Sequence, residues 1–142
     1  MKTPLRLVMI AVALVVVATA CSSSEPSDTI DVTLKSFSFD DSSYNVTAGE
    51  TITITMTNDA TIDHEWVILK AGVTIDSEGD LPPTEEELLA DFVYWEEEVE
   101  GGDTQTFTFV APAAGEYQII CAIEDHFDSG MEGTLTATAA EE

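Results

Sequence analysis

Thr51-Ile-Thr-Ile-Thr-Met-Thr57 alternates without a break. Ile52, Ile54 and Met56 fall on one face and the threonines on the other. Period two with β-branched residues specifies a half-buried strand. Ile30, Val32 and Leu34 repeat the alternation upstream, and Tyr44 to Val46 forms a short run before the Ala48-Gly49 turn. Downstream, Trp66 to Leu69, Thr104 to Val110, Glu116 to Cys121 and Gly133 to Thr138 are further candidates, separated by Gly101-Gly102, Pro112 to Gly115 and Gly130. About seven short strands at this spacing predict an all-β fold, an antiparallel Greek-key sandwich.

One stretch departs from period two. Thr84 with Glu87 forms a capping box, and Leu88, Phe92, Trp95 and Val99 recur at helical spacing. This predicts an inserted acidic α-helix over 84–99. The remaining faces carry Glu85, Glu86, Asp91, Glu96, Glu97, Glu98 and Glu100. The late acids oppose the helix dipole, so the helix has to depend on packing its apolar stripe against the sandwich. The acids read equally as a solvated face or as a docking patch.

Charge narrows the function. The chain of 142 residues carries 28 Asp and Glu against 4 Lys and Arg, a net charge of -24. Such a surface repels phosphate backbones and anionic lipid headgroups, which excludes nucleic-acid binding and polybasic membrane docking. Cations, metal ions, basic proteins or a salty solvent suit it.

Lys2 and Arg6 precede an apolar run from Leu7 to Ala18, the pattern of an export signal over residues 1–20. The run is too short to predict a membrane-spanning helix. Ala18-Thr19-Ala20-Cys21 resembles a bacterial lipobox, with Cys21 as the lipidated first residue of the mature chain. Residues 21–28 then read as the lipidated Cys and a flexible polar tether, and residues 29–142 as one folded domain. With lipid on Cys21, Cys121 is the remaining thiol of an exported protein and calls for a reason. A Cys21–Cys121 disulfide is the rival, but a staple from a flexible tether constrains little.

That reason lies in Cys121-Ala-Ile-Glu-Asp-His126-Phe-Asp-Ser-Gly-Met131. A strand delivers Cys121, a loop places His126, and Met131 stands just before the last strand. His64 lies far upstream, where a sandwich can bring it to the same end. A thiolate, two imidazoles and a weak axial thioether are the donors of a trigonal blue-copper site. Singly, each residue is unremarked: Cys121 suits an inert buried thiol, Met131 a core position, and either His a loop. Together they are the chain's two histidines and its one unlipidated cysteine. Met56 stands in register with Ile52 and Ile54 and reads as core. Structural zinc fits less well, because it takes four strong ligands with paired short spacings. A Ser-His-Asp arrangement would consume a metal-motif His, and no phosphate-cradling glycine loop is present.

With Gly-x-Tyr-x-x-x-Cys, Cys-x4-His and His-x4-Met-x-Gly in place, residues 29–139 resemble the cupredoxins, the type 1 blue-copper family; the Cys-to-His-to-Met spacing is nearest to its auracyanin-like members. The resemblance implies one type 1 copper per chain, with His64, Cys121 and His126 as equatorial ligands and Met131 as the long axial one. It implies that the edge of His126 is the exit for electrons, that Tyr117 is structural, and that Asn58 is the frequent strand-end Asn. It implies a one-electron carrier rather than an enzyme. Export and the lipid at Cys21 would hold it on the outer membrane face or in the periplasm, as a monomer. Its redox partner would carry a basic docking patch, such as a cytochrome or a membrane oxidase or reductase. Copper capture and delivery is the alternative, and an open copper site for small-molecule redox chemistry, with Glu65 entering the metal shell, is another. Glu65 stands where many cupredoxins have Asn tying two ligand loops together, and Asp125 replaces the common Pro or Gly before the second His.

Overall fold

The structure, a computed structural model, describes residues 25–140. The export signal of residues 1–20 and the lipid site at Cys21 lie outside the described residues. Nine strands follow in chain order: β1 (Thr29–Lys35), β2 (Ser38–Phe39), β3 (Ser43–Thr47), β4 (Thr51–Asn58), β5 (His64–Leu69), β6 (Val93–Val99), β7 (Thr104–Val110), β8 (Gly115–Ile120) and β9 (Glu132–Thr138). They form a four-stranded sheet in the order β2-β1-β4-β7 and a five-stranded sheet in the order β3-β9-β8-β5-β6. The all-β sandwich expected from the alternation is therefore present. Its pairings are antiparallel except β1 with β4 and β3 with β9, which run parallel because β3 crosses to the second sheet between two strands of the first.

The inner faces interlock as the alternation dictates. Ile30, Val32, Leu34, Ile52, Ile54 and Met56 meet Trp66, Ile68, Tyr117, Ile119 and Leu135 in one core. Met56 is fully buried there, in keeping with its reading as core. Each such aliphatic side chain contributes roughly 1.5–3 kcal/mol by leaving water. Thr53, Thr55 and Thr57 of β4 lie opposite Thr108, Thr106 and Thr104 of β7, and the Thr55 and Thr106 hydroxyls sit 3.2 Å apart.

The predicted helix over 84–99 is corrected. Only Glu85–Glu87 forms an α-turn, α1, capped by the Thr84 hydroxyl, which accepts from the Glu87 N–H at 3.2 Å. Leu88–Phe92 continues as one wider turn, and from Val93 the chain is the edge strand β6. The misreading has a simple cause. Trp95 and Val99 are four apart, a spacing that satisfies a helix face and a strand face equally. In β6 both reach the main core, where Trp95 stacks on Phe109 with ring centroids 4.8 Å apart. Pairing with β5 overrides the local helical preference, as tertiary context commonly does.

A second, smaller apolar cluster covers the outer face of the five-stranded sheet. Val67, Leu69 and Ile120 meet Ile75, Val93 and Phe127 there, with Leu81, Leu88 and Phe92 at the margin. The segment between β5 and β6 is therefore a flap that buries the back of β5 and β8. This explains why four consecutive residues, Trp66 to Leu69, are all buried although the strand should alternate.

Gly101 marks a close approach next to the site. A Cβ there would lie 2.5 Å from the Thr61 carbonyl carbon and 2.8 Å from the Ile62 nitrogen. Its N–H also donates to Asp63 Oδ1 at 3.0 Å. Gly101→Ala is expected to destabilise the protein by about 1–3 kcal/mol. A thermal melt unchanged from wild type would show that the 61–63 loop yields freely.

Candidate metal centre

Antiparallel pairing of β5 with β8, Val67 opposite Ile120 and Ile68 opposite Ile119, sets the start of β5 beside the end of β8. His64, the first residue of β5, thereby meets Cys121, the residue after β8. The loop 122–131 folds back through a bond from the His126 N–H to the Ile123 carbonyl at 3.0 Å and from the Gly130 N–H to the Phe127 carbonyl at 2.8 Å. His126 is thus carried over the strand ends.

The result is one buried cluster. His64 Nδ1 lies 3.2 Å from His126 Nδ1, and Cys121 Sγ lies 3.2 Å from the same nitrogen. Donor atoms of His64, Cys121 and His126 all fall within 4.8 Å of one another. With bonds of about 2.0–2.3 Å, donors around one late first-row metal sit roughly 3.5–4 Å apart, a spacing inside that range. Both rings turn Nδ1 into the cluster, and His64 Nε2 is buried with no hydrogen-bond partner.

Met131 is also fully buried, in the apolar cluster that includes Cys121. Its main chain links the other two loop residues: its N–H donates to the His126 carbonyl, and its carbonyl accepts from the Cys121 N–H, each at 3.1 Å.

Burial keeps all three donors uncharged. Burial pushes the Cys121 thiol up to about 11, softened by N–H groups of Glu65 and Ile123. Burial lowers the proton affinity of both imidazoles; neighbouring His126 lowers His64 further, while Glu78 and Asp125 partly offset the effect at His126. Two neutral imidazoles and a thiol converge with no carboxylate in the cluster. A cation binding here displaces the thiol proton, and its charge then offsets the desolvation of the buried thiolate. The donor set fits one type 1 copper.

Glu65 does the work of the loop-tying Asn. Its main-chain N–H donates to Cys121 Sγ at 3.3 Å. Its carboxyl also takes a hydrogen bond from the main-chain N–H of Ala122, the residue after Cys121. Glu65 is not among the residues whose donors converge. Asn58 anchors the approach to His64: its amide donates to the Ile62 and Val99 carbonyls, both at 2.9 Å, and its oxygen accepts from the Ala60 N–H at 3.0 Å. Tyr117 is structural as expected, buried with its hydroxyl donating to the Ala113 carbonyl at 2.7 Å.

His126 differs from expectation in one respect. It is only 6% exposed, because Phe37 leans on it with ring centroids 4.8 Å apart. Phe37, on the turn between β1 and β2, is 38% exposed and forms the outer surface of the site. No periodicity or motif marked it, since a single aromatic in a turn carries no sequence signal.

A family model described as cupredoxin-like domain matches residues 7–137, so the chain belongs to the cupredoxin-like family. It is 31% identical to auracyanin-A of Chloroflexus aurantiacus, over 95% of this chain and 98% of that one. Among solved structures it superposes on a dithionite-reduced auracyanin from Roseiflexus castenholzii with a TM-score of 0.65 and 28% identity, covering 80% of this chain and 99% of the other. Auracyanin A, described as a "blue" copper protein, superposes with a TM-score of 0.62 at 28% identity, covering 80% of this chain and all of that one.

The Glu65 carboxyl is held away from its ordinary value. Burial first, then Glu96 and Glu98, raise its carboxyl from near 4.5 to about 7. A carboxyl whose folded value is raised contributes stability that is fully present below its unfolded value and is lost as pH rises toward 7. In the copper-free protein Glu65→Gln keeps an acceptor for Ala122 and removes this loss. It is expected to raise stability at pH 8 by about 1–2 kcal/mol, after allowance for partial solvent screening, with the gain fading below pH 4.5. Parallel melting curves at every pH would contradict this origin of the raised value.

Proposed function

We propose that the chain is an exported one-electron carrier. His64 Nδ1, Cys121 Sγ and His126 Nδ1 would hold one type 1 copper, with the Met131 thioether as the weak axial donor. The observation that carries this reading is the convergence of three buried, uncharged donors at one end of a rigid sandwich. A bound copper ion supplies the one-electron Cu(II)/Cu(I) couple. The chain's contribution is to fix the donors so that they move little between the two states. Strand pairing holds His64, the end of β8 holds Cys121, and the Glu65 N–H on Cys121 Sγ disperses thiolate charge. Phe37 over His126 keeps water from the ring and offers an apolar contact for electron exit. The auracyanin relatives support the carrier reading.

In this reading residues 1–20 direct export, Cys21 carries the lipid, and residues 21–28 tether the domain to the outer face of the membrane. No helix among the described residues is long and apolar enough to cross a membrane. The partner would be a redox protein with a basic patch. Burial and then neighbouring Glu96, Glu98 and Glu85 raise the proton affinity of Glu65, and burial and then Glu97, Glu85 and Glu98 raise that of Glu96, which supports a concentrated acidic face. Association with a basic partner would then weaken with salt. The chain would act as a monomer. The open-site alternative loses support because the Glu65 carboxylate is engaged with Ala122.

Copper titration of the full chain is expected to produce an intense visible thiolate-to-copper band that Cys121→Ser abolishes. Absence of that band in wild type, with copper bound, would overturn the type 1 assignment. Asp125 adjoins His126, and its negative charge favours Cu(II). Asp125→Asn is expected to raise the reduction potential in a redox titration, and an unmoved potential would refute that electrostatic role.

A further inference from the structure

The flap between β5 and β6 reaches back over the ligand loop at one residue. Its 3-10 turn, Glu78–Asp80, is locked by Asp80, whose Oδ2 accepts from the main-chain N–H groups of Asp76 and Ser77 at 3.1 Å each and from the Ser77 hydroxyl at 3.3 Å. Just upstream, buried Ile75 is held on both sides by the Gln118 side chain of β8: its N–H donates to Oε1 at 2.9 Å and its carbonyl accepts from Nε2 at 3.1 Å. The turn therefore has a fixed place relative to the strand that delivers Cys121.

From that place the Glu78 carboxylate takes three main-chain N–H groups of the ligand loop. Oε2 accepts from Asp125 at 2.8 Å, and Oε1 accepts from Phe127 at 3.1 Å and Asp128 at 3.4 Å. In return the Glu78 N–H donates to Asp128 Oδ1 at 2.9 Å. The bonded run brackets His126 on both sides. It also holds Asp125, which stands at φ 68°, a left-handed conformation that costs a non-glycine residue roughly 1–2 kcal/mol. Hydrogen bonds to an ionised acceptor are among the stronger ones, and here three converge on one carboxylate.

We propose that Glu78 is a positioning residue for His126, clamping the backbone of residues 125–128 so that the ring keeps its place in both oxidation states. This rests on the reading of His126 as a copper ligand. His126 sits on a loop, unlike His64, and no strand pairing restrains it. Glu78 touches none of the donor atoms and acts through the loop backbone. Its charge is also felt at His126 and Cys121.

Amide hydrogen exchange of the copper-free full chain tests the clamp directly. Glu78→Ala is expected to speed exchange at Asp125, Phe127 and Asp128 by about tenfold or more, with the amides of Ile52 to Met56 unchanged. Glu78→Gln keeps one acceptor oxygen but sets an NH2 group against the remaining donors, so an intermediate effect is expected. In the copper-loaded protein, Glu78→Ala is expected to alter the Cu(II) EPR hyperfine splitting and slow electron self-exchange about tenfold, with partial rescue in Glu78→Gln. Unchanged exchange at 125–128 in both variants overturns the proposal. So does faster exchange with an unaltered EPR spectrum and self-exchange rate, since Glu78 would then only staple a surface loop. Failure of wild type to take up copper overturns the ligand assignment itself. Normal wild-type uptake with unaffected variants overturns the role of Glu78 alone.

Discussion

The register between β5 and β8 is the constraint on which the site depends. Val67 faces Ile120 and Ile68 faces Ile119, so the first residue of one strand lies beside the residue that follows the other. A slip of one residue would turn His64 to the opposite face of the sheet and remove it from Cys121. The register is secured because both faces of these strands are buried, one by the main core and one by the flap over Ile75 and Phe127. Two apolar layers thus hold a polar cluster that contributes no hydrophobic energy of its own.

Without a cation that cluster is held uncharged. Desolvation lowers the proton affinity of both imidazoles and holds the thiol in its protonated form. The protein surrounds the donors with backbone N–H groups, apolar packing and, one layer further out, carboxylates. Glu65 and Glu78 belong to that outer layer. Each meets a ligand-bearing segment by accepting from main-chain N–H, and neither enters the cluster. Much of the acidity of the chain lies further out still, on the edge strand β6 and the turns around it, where it faces solvent and any approaching partner.

Local patterns explain which parts of the fold were legible. The threonine alternation of β4 has one physical reading, because period two cannot be mistaken for period 3.6 over seven residues. Residues 88–99 had two readings. Trp95 and Val99 satisfy both periods, and the Thr84 hydroxyl does cap a helical start, but one that lasts a single turn. What decides the matter is a partner strand: β6 pairs with β5 from His64 opposite Val99 to Leu69 opposite Val93, and that ladder has no trace in the sequence of 93–99 itself. Glu65 shows the same limit in the site. It stands where many cupredoxins have Asn, and only the folded chain brings its main-chain N–H to Cys121 Sγ and its carboxyl to the Ala122 N–H.

The sequence by itself determined the alternating faces of the sandwich, the position of Cys121 at a strand end, and the inventory of two histidines and two cysteines from which a metal site could be built. Those are properties of composition and short-range spacing, and chain periodicity encodes them directly. Tertiary structure decided the rest: that His64 arrives next to Cys121, that Phe37 covers His126, and that Glu78 grips the loop from 47 or more residues away. Such contacts join segments whose sequences carry no record of one another, and only the packing of two sheets and a flap brings them within bonding distance.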